Sequence, residues 1–431
     1  MKRTSFRFTI DHLDVFKKQL LRWAQQFREV AYLDSNHYPD SYHSMDAVLA
    51  TDAFTLLQTD EWNAFNRLEE YHRHTQDWLF GYLSYDLKND VEDLHSQNND
   101  ELNFPELFFF QPKKIFFIEE NEVRFEYLTM CEDEAETDFK DIVATKVEAV
   151  STQPSMTVKE RVSLGDYRKG FDKMMHHIQR GDIYEANYCM EFYAENSEIE
   201  PANTFWNLNQ ISEPPFACFG KFGKHFVLSA SPERYLKKQG TKVISQPIKG
   251  TAKRGLTSEE DEFLKQQLKH NSKEQSENVM IVDLVRNDLS RTAVKGSVEV
   301  EELFGIYSFK QVHQMISTVV SEVSENENPL EIIRTTFPMG SMTGAPKLSA
   351  MKIIEEVEQS KRGLYSGSIG YFTPKGDFDF NVIIRSILYN QEKKYVSFSV
   401  GSAITINANA MDEYNECLLK ANAMKKVLEQ C

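Results

Sequence analysis

The 431-residue chain is 41% hydrophobic and 27% charged, enough for a sizeable core in two ordinary domains or one large mixed unit. Its formal net charge of −17, with no basic stripe, excludes a nucleic-acid partner, although a metal ion or local cations could still hold a small anion. No run of about 18 apolar residues occurs, so no membrane span is expected, and the start, MKRTSFRFTIDHLDVF, lacks the apolar core of a signal peptide.

Five scattered cysteines (Cys131, Cys189, Cys218, Cys417, Cys431) form no CxxC pair. That spacing gives no zinc site and points to a reduced, cytoplasmic protein.

Along the chain, residues 1–150 form an N-terminal region. There WLFGYLSYDL (78–87) and LFFFQPKKIFFIEENEVRFEYLTM (107–130) read as strands, rich in aromatic and β-branched residues. The polar KNDVEDLHSQNNDELNF between them reads as a loop. An acidic, then Ser/Thr/Pro-bearing stretch around 145–160 reads as a connector to a second region, 160–431.

In that second region, LGDYRKGFDKMMHHIQRGD has apolar residues at helical spacing and stops at Gly181. IYEANYCMEFYAE alternates like a strand. SPERYLKKQGTKVI reads as strand, turn at Gln239-Gly240, strand, which leaves Lys249 of SQPIKGTAKRG in a loop just past a strand end. TSEEDEFLKQQLKHN and SKEQSENVMIVDLVRNDLS read as helices, the second with a capping box from Ser272 to Gln275. APKLSAMKIIEEVEQSKRG is a third helix, opened by Pro346 and closed near Gly363. LYSGSIGYF, FDFNVIIRSILYN and KYVSFSVGSAITI then predict an antiparallel meander, and MDEYNECLLKANAMKKVL a terminal helix. Helices and strands mix without βαβ alternation, so the expected class is α+β.

Two of these helices carry paired acids three residues apart, Glu274 with Glu277 and Glu413 with Glu416. On a helix such pairs share a face, here one that also carries Ile281 and Leu284. Carboxylates at the edge of an apolar stripe are costly unless neutralised. Four oxygen donors from two helices suit Mg²⁺, although either pair alone would be ordinary solvated surface. FPMGSMTGAPKLSAM offers a Gly/Ser/Thr loop at a helix entrance, where backbone N–H groups can receive a carboxylate. Arg385 in NVIIRSI sits in an apolar strand and needs a partner, either a ligand carboxylate or an internal acid. Tyr365 stands among small residues, and His313 lies in an apolar segment where a packed core histidine is the plain reading.

The stretches GDIYEANYC, SASPERYL, PIKGTAKRG, SENVMIVDLVRNDLSR, VHQMISTV, FPMGSMTGAPKLSAM, RGLYSGSIGYF, NVIIRSI and DEYNECLLKA follow one another as in the chorismate-utilising enzymes, and the chain resembles that family over roughly 165–431. AYLDSN and WLFGYLSYDL resemble its N-terminal region. The resemblance implies a four-layer α/β/β/α sandwich, of the kind seen in component I of anthranilate synthase, with the site between two sheets. It implies Mg²⁺ bound directly by Glu277 and Glu416, with Glu274 and Glu413 acting through water. It places substrate contacts on Gly250, Thr251, Thr343, Tyr365, Arg385, Gly401, Ser402, Ala403 and Lys420, and catalytic roles on Lys249, His313 and Glu277. It also leaves room for an aromatic amino-acid pocket in the N-terminal region.

Within the family, PIKGT resembles the loop of component I of aminodeoxychorismate synthase, where the lysine is the proposed nucleophile. Component I of anthranilate synthase usually has PIAGT. Isochorismate and salicylate synthases carry a water-activating lysine in the stretch that here reads YEAN, where this chain has Glu185. Two departures from the family pattern are Glu185 in place of a frequent glutamine and Ala403 in place of a glycine. The implied reaction joins chorismate and ammonia, with loss of the ring hydroxyl, to give 4-amino-4-deoxychorismate on the way to 4-aminobenzoate and folate. No GxCxGxQ-like segment surrounds any cysteine, so ammonia is expected from a separate glutamine amidotransferase subunit. The rival readings are anthranilate formation and a non-catalytic chorismate-binding or regulatory subunit.

Overall fold

In the computed structural model, residues 2–43, 45–147 and 156–429 are described. Half of the connector expected around 145–160, residues 148–155, therefore falls outside the described residues. Among the described residues, twenty strands join one continuous network of antiparallel ladders. Strands from the two halves of the sequence interleave. Leu79–Leu83 pairs with Ser368–Phe372, and Glu29–Asp34 pairs with Phe216–Phe222. Both aromatic stretches near the N-terminus are strands, Leu79–Leu83 and Leu107–Glu119 with Glu122–Leu128. The polar segment after the first begins with a single helical turn, Lys88–Val91.

Two hydrophobic cores lie on either side of the strands. One packs the helices Leu13–Ala24, Leu164–Arg180, Pro201–Ser212 and Ala410–Glu429 onto sheet residues such as Tyr32, Phe192 and Phe398. The other joins the helices Ala64–Thr75, Ser272–Leu289 and Pro329–Thr336 with a dense aromatic set that includes Phe80, Phe109 and Phe380. Helices outside and strands inside give the expected α+β, α/β/β/α architecture. No helix among the described residues is long and apolar enough to cross a membrane.

Local signals decide several boundaries. Leu164–Arg180 ends, as its sequence predicts, at Gly181 with φ 83°, and begins at Ser163, whose side chain accepts from Asp166 N–H. Ser272–Leu289 differs in its cap. The Asn271 side chain, not Ser272, accepts from the N–H groups of Lys273 and Glu274, because asparagine one residue earlier reaches both donors. The third predicted helix is shorter than its pattern. It spans Lys347–Val357, and Glu358 is already extended where its carboxylate turns to Arg362 and the Cys189 N–H. The predicted C-terminal meander keeps its antiparallel local pairings, Ser368–Phe372 with Phe378–Asn381 and Ser386–Asn390 with Tyr395–Thr405. Its middle segment is split into two strands, which on their other edges pair with Arg234–Gln239 and His225–Ser231.

Candidate active site

The acid pairs sit on the helices Ser272–Leu289 and Ala410–Glu429. Apolar residues anchor each helix: Ile281, Val282 and Val285 on the first, Tyr414, Cys417 and Ala421 on the second. The anchoring turns the glutamates near the starts of both helices toward one region. The Lys273 ammonium stands between them, 3.8 Å from Glu277 and 3.9 Å from Glu413. Burial raises the carboxyls of Glu274 and Glu413 above their ordinary range and takes Glu277 to about 7, with Glu185 and Glu274 adding repulsion at Glu277. Burial would also raise Glu416, but Lys420 at 2.6 Å outweighs it and holds that carboxyl low.

Four crowded, partly buried carboxylates, with the ammoniums of Lys273 and Lys420 beside them, form an oxygen-only donor set with more negative than positive charge. They fit Mg²⁺ in donor type and in charge. As the side chains stand, no three acidic, histidine or cysteine groups among the described residues meet closely enough to ligate one ion.

Lys249 lies in a short strand, Ile248–Lys253, rather than in the predicted loop, because that segment pairs with Val312–Glu322. Its side chain is 12% exposed, and its ammonium donates to Glu185 Oε1 at 2.6 Å. Burial alone would lower the amine, but Glu185 outweighs it and raises the group, so the resting lysine is charged rather than neutral. Glu185 Oε2 is buried without a hydrogen-bond partner among the described residues.

Glu233, in SPERY, is a site residue that the sequence reading did not single out. It is 4% exposed, burial pushes its carboxyl up to about 7, and Ser341, Lys249 and the Ile248 backbone oppose the shift. The sequence signal was a lone acid between Pro232 and Arg234 at the start of a strand, which also reads as an ordinary turn residue.

Arg385 does not lie within a strand. It has φ 52° and immediately precedes Ser386–Asn390. No carboxylate among the described residues pairs with it, and burial lowers its guanidinium, opposed by Tyr365 and Glu416. The internal salt bridge that would have explained it is absent among the described residues. Tyr365 is 4% exposed, with Cys189 Sγ 3.9 Å from its hydroxyl.

Thr343 is buried, its hydroxyl turned to the Gly340 carbonyl at 3.1 Å. Ser402 is buried with its hydroxyl 3.3 Å from Tyr167, while Gly401 and Ala403 are half-buried beside it. Lys420 donates to the Gly401 carbonyl at 2.8 Å and thereby ties the second acid helix to that strand. Thr251 is exposed. His313 is fully buried with both ring nitrogens engaged: Nδ1 lies 2.8 Å from Ser308 Oγ and Nε2 3.0 Å from Asp261 Oδ1.

A second cleft lies apart from the glutamates. Leu33, Tyr38, Met45, Pro215, Phe216 and Ile369 line it, and Asp40 and Arg234 are paired at its edge at 2.6 Å.

The family of chorismate binding enzymes matches the chain over residues 28–426. An anthranilate synthase component I-like protein of Synechocystis is 33% identical over 82% of this chain and 72% of its own length. Aminodeoxychorismate synthase component 1 of Bacillus subtilis is 30% identical over 89% of this chain and 84% of its own. The chloroplastic aminodeoxychorismate synthase of Arabidopsis thaliana is 35% identical over 81% of this chain, which spans only 40% of that longer protein. Among solved structures, anthranilate synthase component I of Streptococcus pneumoniae superposes with a TM-score of 0.77 at 22% identity, covering 90% of this chain and 94% of that one. The match from residue 28 to 426 takes in both halves of the sandwich and all four glutamates, and the chain belongs to the chorismate binding enzyme family.

Proposed function

We propose that this chain is the chorismate-handling component of an aminodeoxychorismate synthase, converting chorismate and ammonia to 4-amino-4-deoxychorismate. The observation that carries this reading is Lys249, an amine held in the PIKGT segment by a buried carboxylate beside Glu277. Several relatives bear the matching name, among them those of Bacillus subtilis and Escherichia coli.

Arg385, without an acid partner among the described residues, receives one substrate carboxylate, and Tyr365 beside it supplies a hydrogen bond. Glu277 and Glu416 would hold Mg²⁺ directly, with Glu274 and Glu413 reaching it through water; the ion, when bound, supplies positive charge beside the second substrate carboxylate. Glu185 Oε1 accepts a proton from Lys249, freeing the amine lone pair to attack the ring. Glu233, poised near neutrality, gives its proton to the departing hydroxyl, which leaves as water. Ammonia then forms the new C–N bond as the bond to Lys249 breaks, and Glu185 Oε2 is an open acceptor for one of its N–H groups. With both ring nitrogens held inside the protein, His313 shapes the strand beside Lys249 rather than transferring a proton in this state.

The ammonia donor is a separate glutamine amidotransferase subunit. Four buried free cysteines among the described residues suit a reducing compartment such as the cytoplasm. The second cleft takes an aromatic amino acid as an effector or structural ligand.

Incubation with chorismate, Mg²⁺ and ammonium, followed by mass identification of the product, tests the reading. Accumulation of 4-amino-4-deoxychorismate supports it. Direct appearance of anthranilate and pyruvate would transfer the chain to the anthranilate branch, which the 33% identity to the Synechocystis protein keeps as the second reading. No turnover would leave the non-catalytic alternative.

A further inference from the structure

Glu233 has two sides. One faces Lys249 and the Ile248 backbone. The other lines a small, partly open pocket of about 20 Å³ between the strands Arg234–Gln239 and Lys242–Gln246 and the C-terminal end of the helix Ser272–Leu289. A space of that size holds one water, since about 10–15 Å³ suffices when several polar partners are present.

The partners are there. Asp288 lines the cavity, is 3% exposed, and its Oδ1 is buried without a hydrogen-bond partner among the described residues. Ser245 and Ser341 line the same space. An orphaned carboxylate oxygen is too costly to leave dry in a protein interior. The other oxygen of Asp288 accepts from Lys347 at 2.5 Å, and Lys347 also donates to the Thr336 carbonyl at 2.9 Å. The Lys347 side chain is 12% exposed, which leaves this chain of groups a narrow contact with solvent.

We propose that the cavity is a water site and the rear half of a proton path, Lys347–Asp288–water–Glu233, that restores the proton Glu233 gives up. This role in turnover rests on the reading of Glu233 as the acid above. The balance is simple. When the ring C–O bond breaks, the Glu233 O–H bond breaks and its proton leaves with the hydroxyl as water. The Lys347 ammonium first gives a proton to the Asp288 carboxylate, and the carboxylic acid so formed passes it to the cavity water as that water protonates the Glu233 carboxylate. Solvent reprotonates Lys347. Nothing is oxidised or reduced, and Glu233 recovers without opening the substrate side.

The test begins with a high-resolution crystal structure of the full chain, which is expected to show one ordered water bonded to Asp288 Oδ1. A dry cavity overturns the proposal whether or not the chain acts on chorismate. Two variants then test the path. Asp288→Asn with Lys347→Met removes the relay without stranding a buried ammonium, and Val285→Leu fills the cavity. Each is expected to lower kcat about tenfold, leave the KM for chorismate unchanged, and raise the solvent deuterium isotope effect on kcat. A folded variant with wild-type kcat and isotope effect overturns the path. If neither variant folds, the crystallographic water decides. A wild type that binds this water but never turns over chorismate would sink the functional reading and the relay with it, and leave only the water site.

Discussion

Gly250 lies against Glu274: a Cβ placed on the glycine would stand 3.1 Å from Glu274 Oε2 and 3.3 Å from Glu274 Cβ, and its φ is 97°. The strand that carries the amine is thus fitted directly onto the acidic helix. Gly250→Ala meets both the unfavourable φ and the contact, so it should cost about 1–3 kcal/mol of stability. Activity should fall more than stability accounts for, because Lys249 shifts against Glu277. Urea unfolding and steady-state kinetics on the same sample check this; wild-type kcat in the folded variant would show that the close fit does not matter.

Lys249 and Glu185 form a buried pair, and removing one partner strands the other. Lys249→Ala should lose about 3–5 kcal/mol and essentially all turnover with both ammonium and glutamine-derived ammonia. The double variant Lys249→Met with Glu185→Leu should recover most of the stability and none of the activity. A double variant that remained active would remove the amine from the mechanism.

Glu233 gives a pH signature. Its carboxyl rises from an ordinary 4.5 to about 7 in the folded chain, so between those values the folded state keeps a proton that the unfolded state has lost. Its contribution to stability therefore falls as pH rises through this window and is smallest above pH 7, by about 3 kcal/mol at most. Glu233→Gln should match the wild type near pH 4.5 and exceed its stability at pH 8, while losing about 100-fold or more in kcat. Parallel pH-stability curves for the two proteins would refute the assignment.

Arg385 has no acid partner among the described residues, so Arg385→Lys should leave the melting temperature near wild type. The lost bidentate contact should raise the KM for chorismate by about 10- to 100-fold, the worth of roughly 1.5–3 kcal/mol for a hydrogen bond to a charged group. A large drop in melting temperature would instead reveal a structural role.

For the second cleft, tryptophan should raise the melting temperature in proportion to the logarithm of its concentration. Phe216→Asp should abolish that shift. No shift with any aromatic amino acid would leave the cleft without a ligand.

The sequence made long periodic elements and short-range signals legible. The Gly181 helix end and the three-residue spacing of the acid pairs are set by neighbouring residues, and both were readable. What it hid was decided by distant partners. Lys249 reads as a loop residue because its strand exists only by pairing with Val312–Glu322. The charge state of that lysine depends on Glu185, 64 positions away, and no local pattern announces it. Arg385 reads as a strand residue because its left-handed φ has no signature in a side chain that seldom adopts it. Glu233 stayed unnoticed because burial, not spacing, gives the carboxyl its character.

The interleaving of early and late strands sets an order of events at the ribosome. Leu79–Leu83 has Leu107–Glu119 on one side soon after synthesis, but its other neighbour, Ser368–Phe372, follows only about 285 residues later. At about 5–20 residues per second, that edge waits on the order of tens of seconds, presenting Phe80 and Tyr82 beside unpaired backbone. Holding chaperones should therefore govern the yield of the nascent chain more than the stability of the finished fold does, and separately expressed halves should aggregate rather than fold.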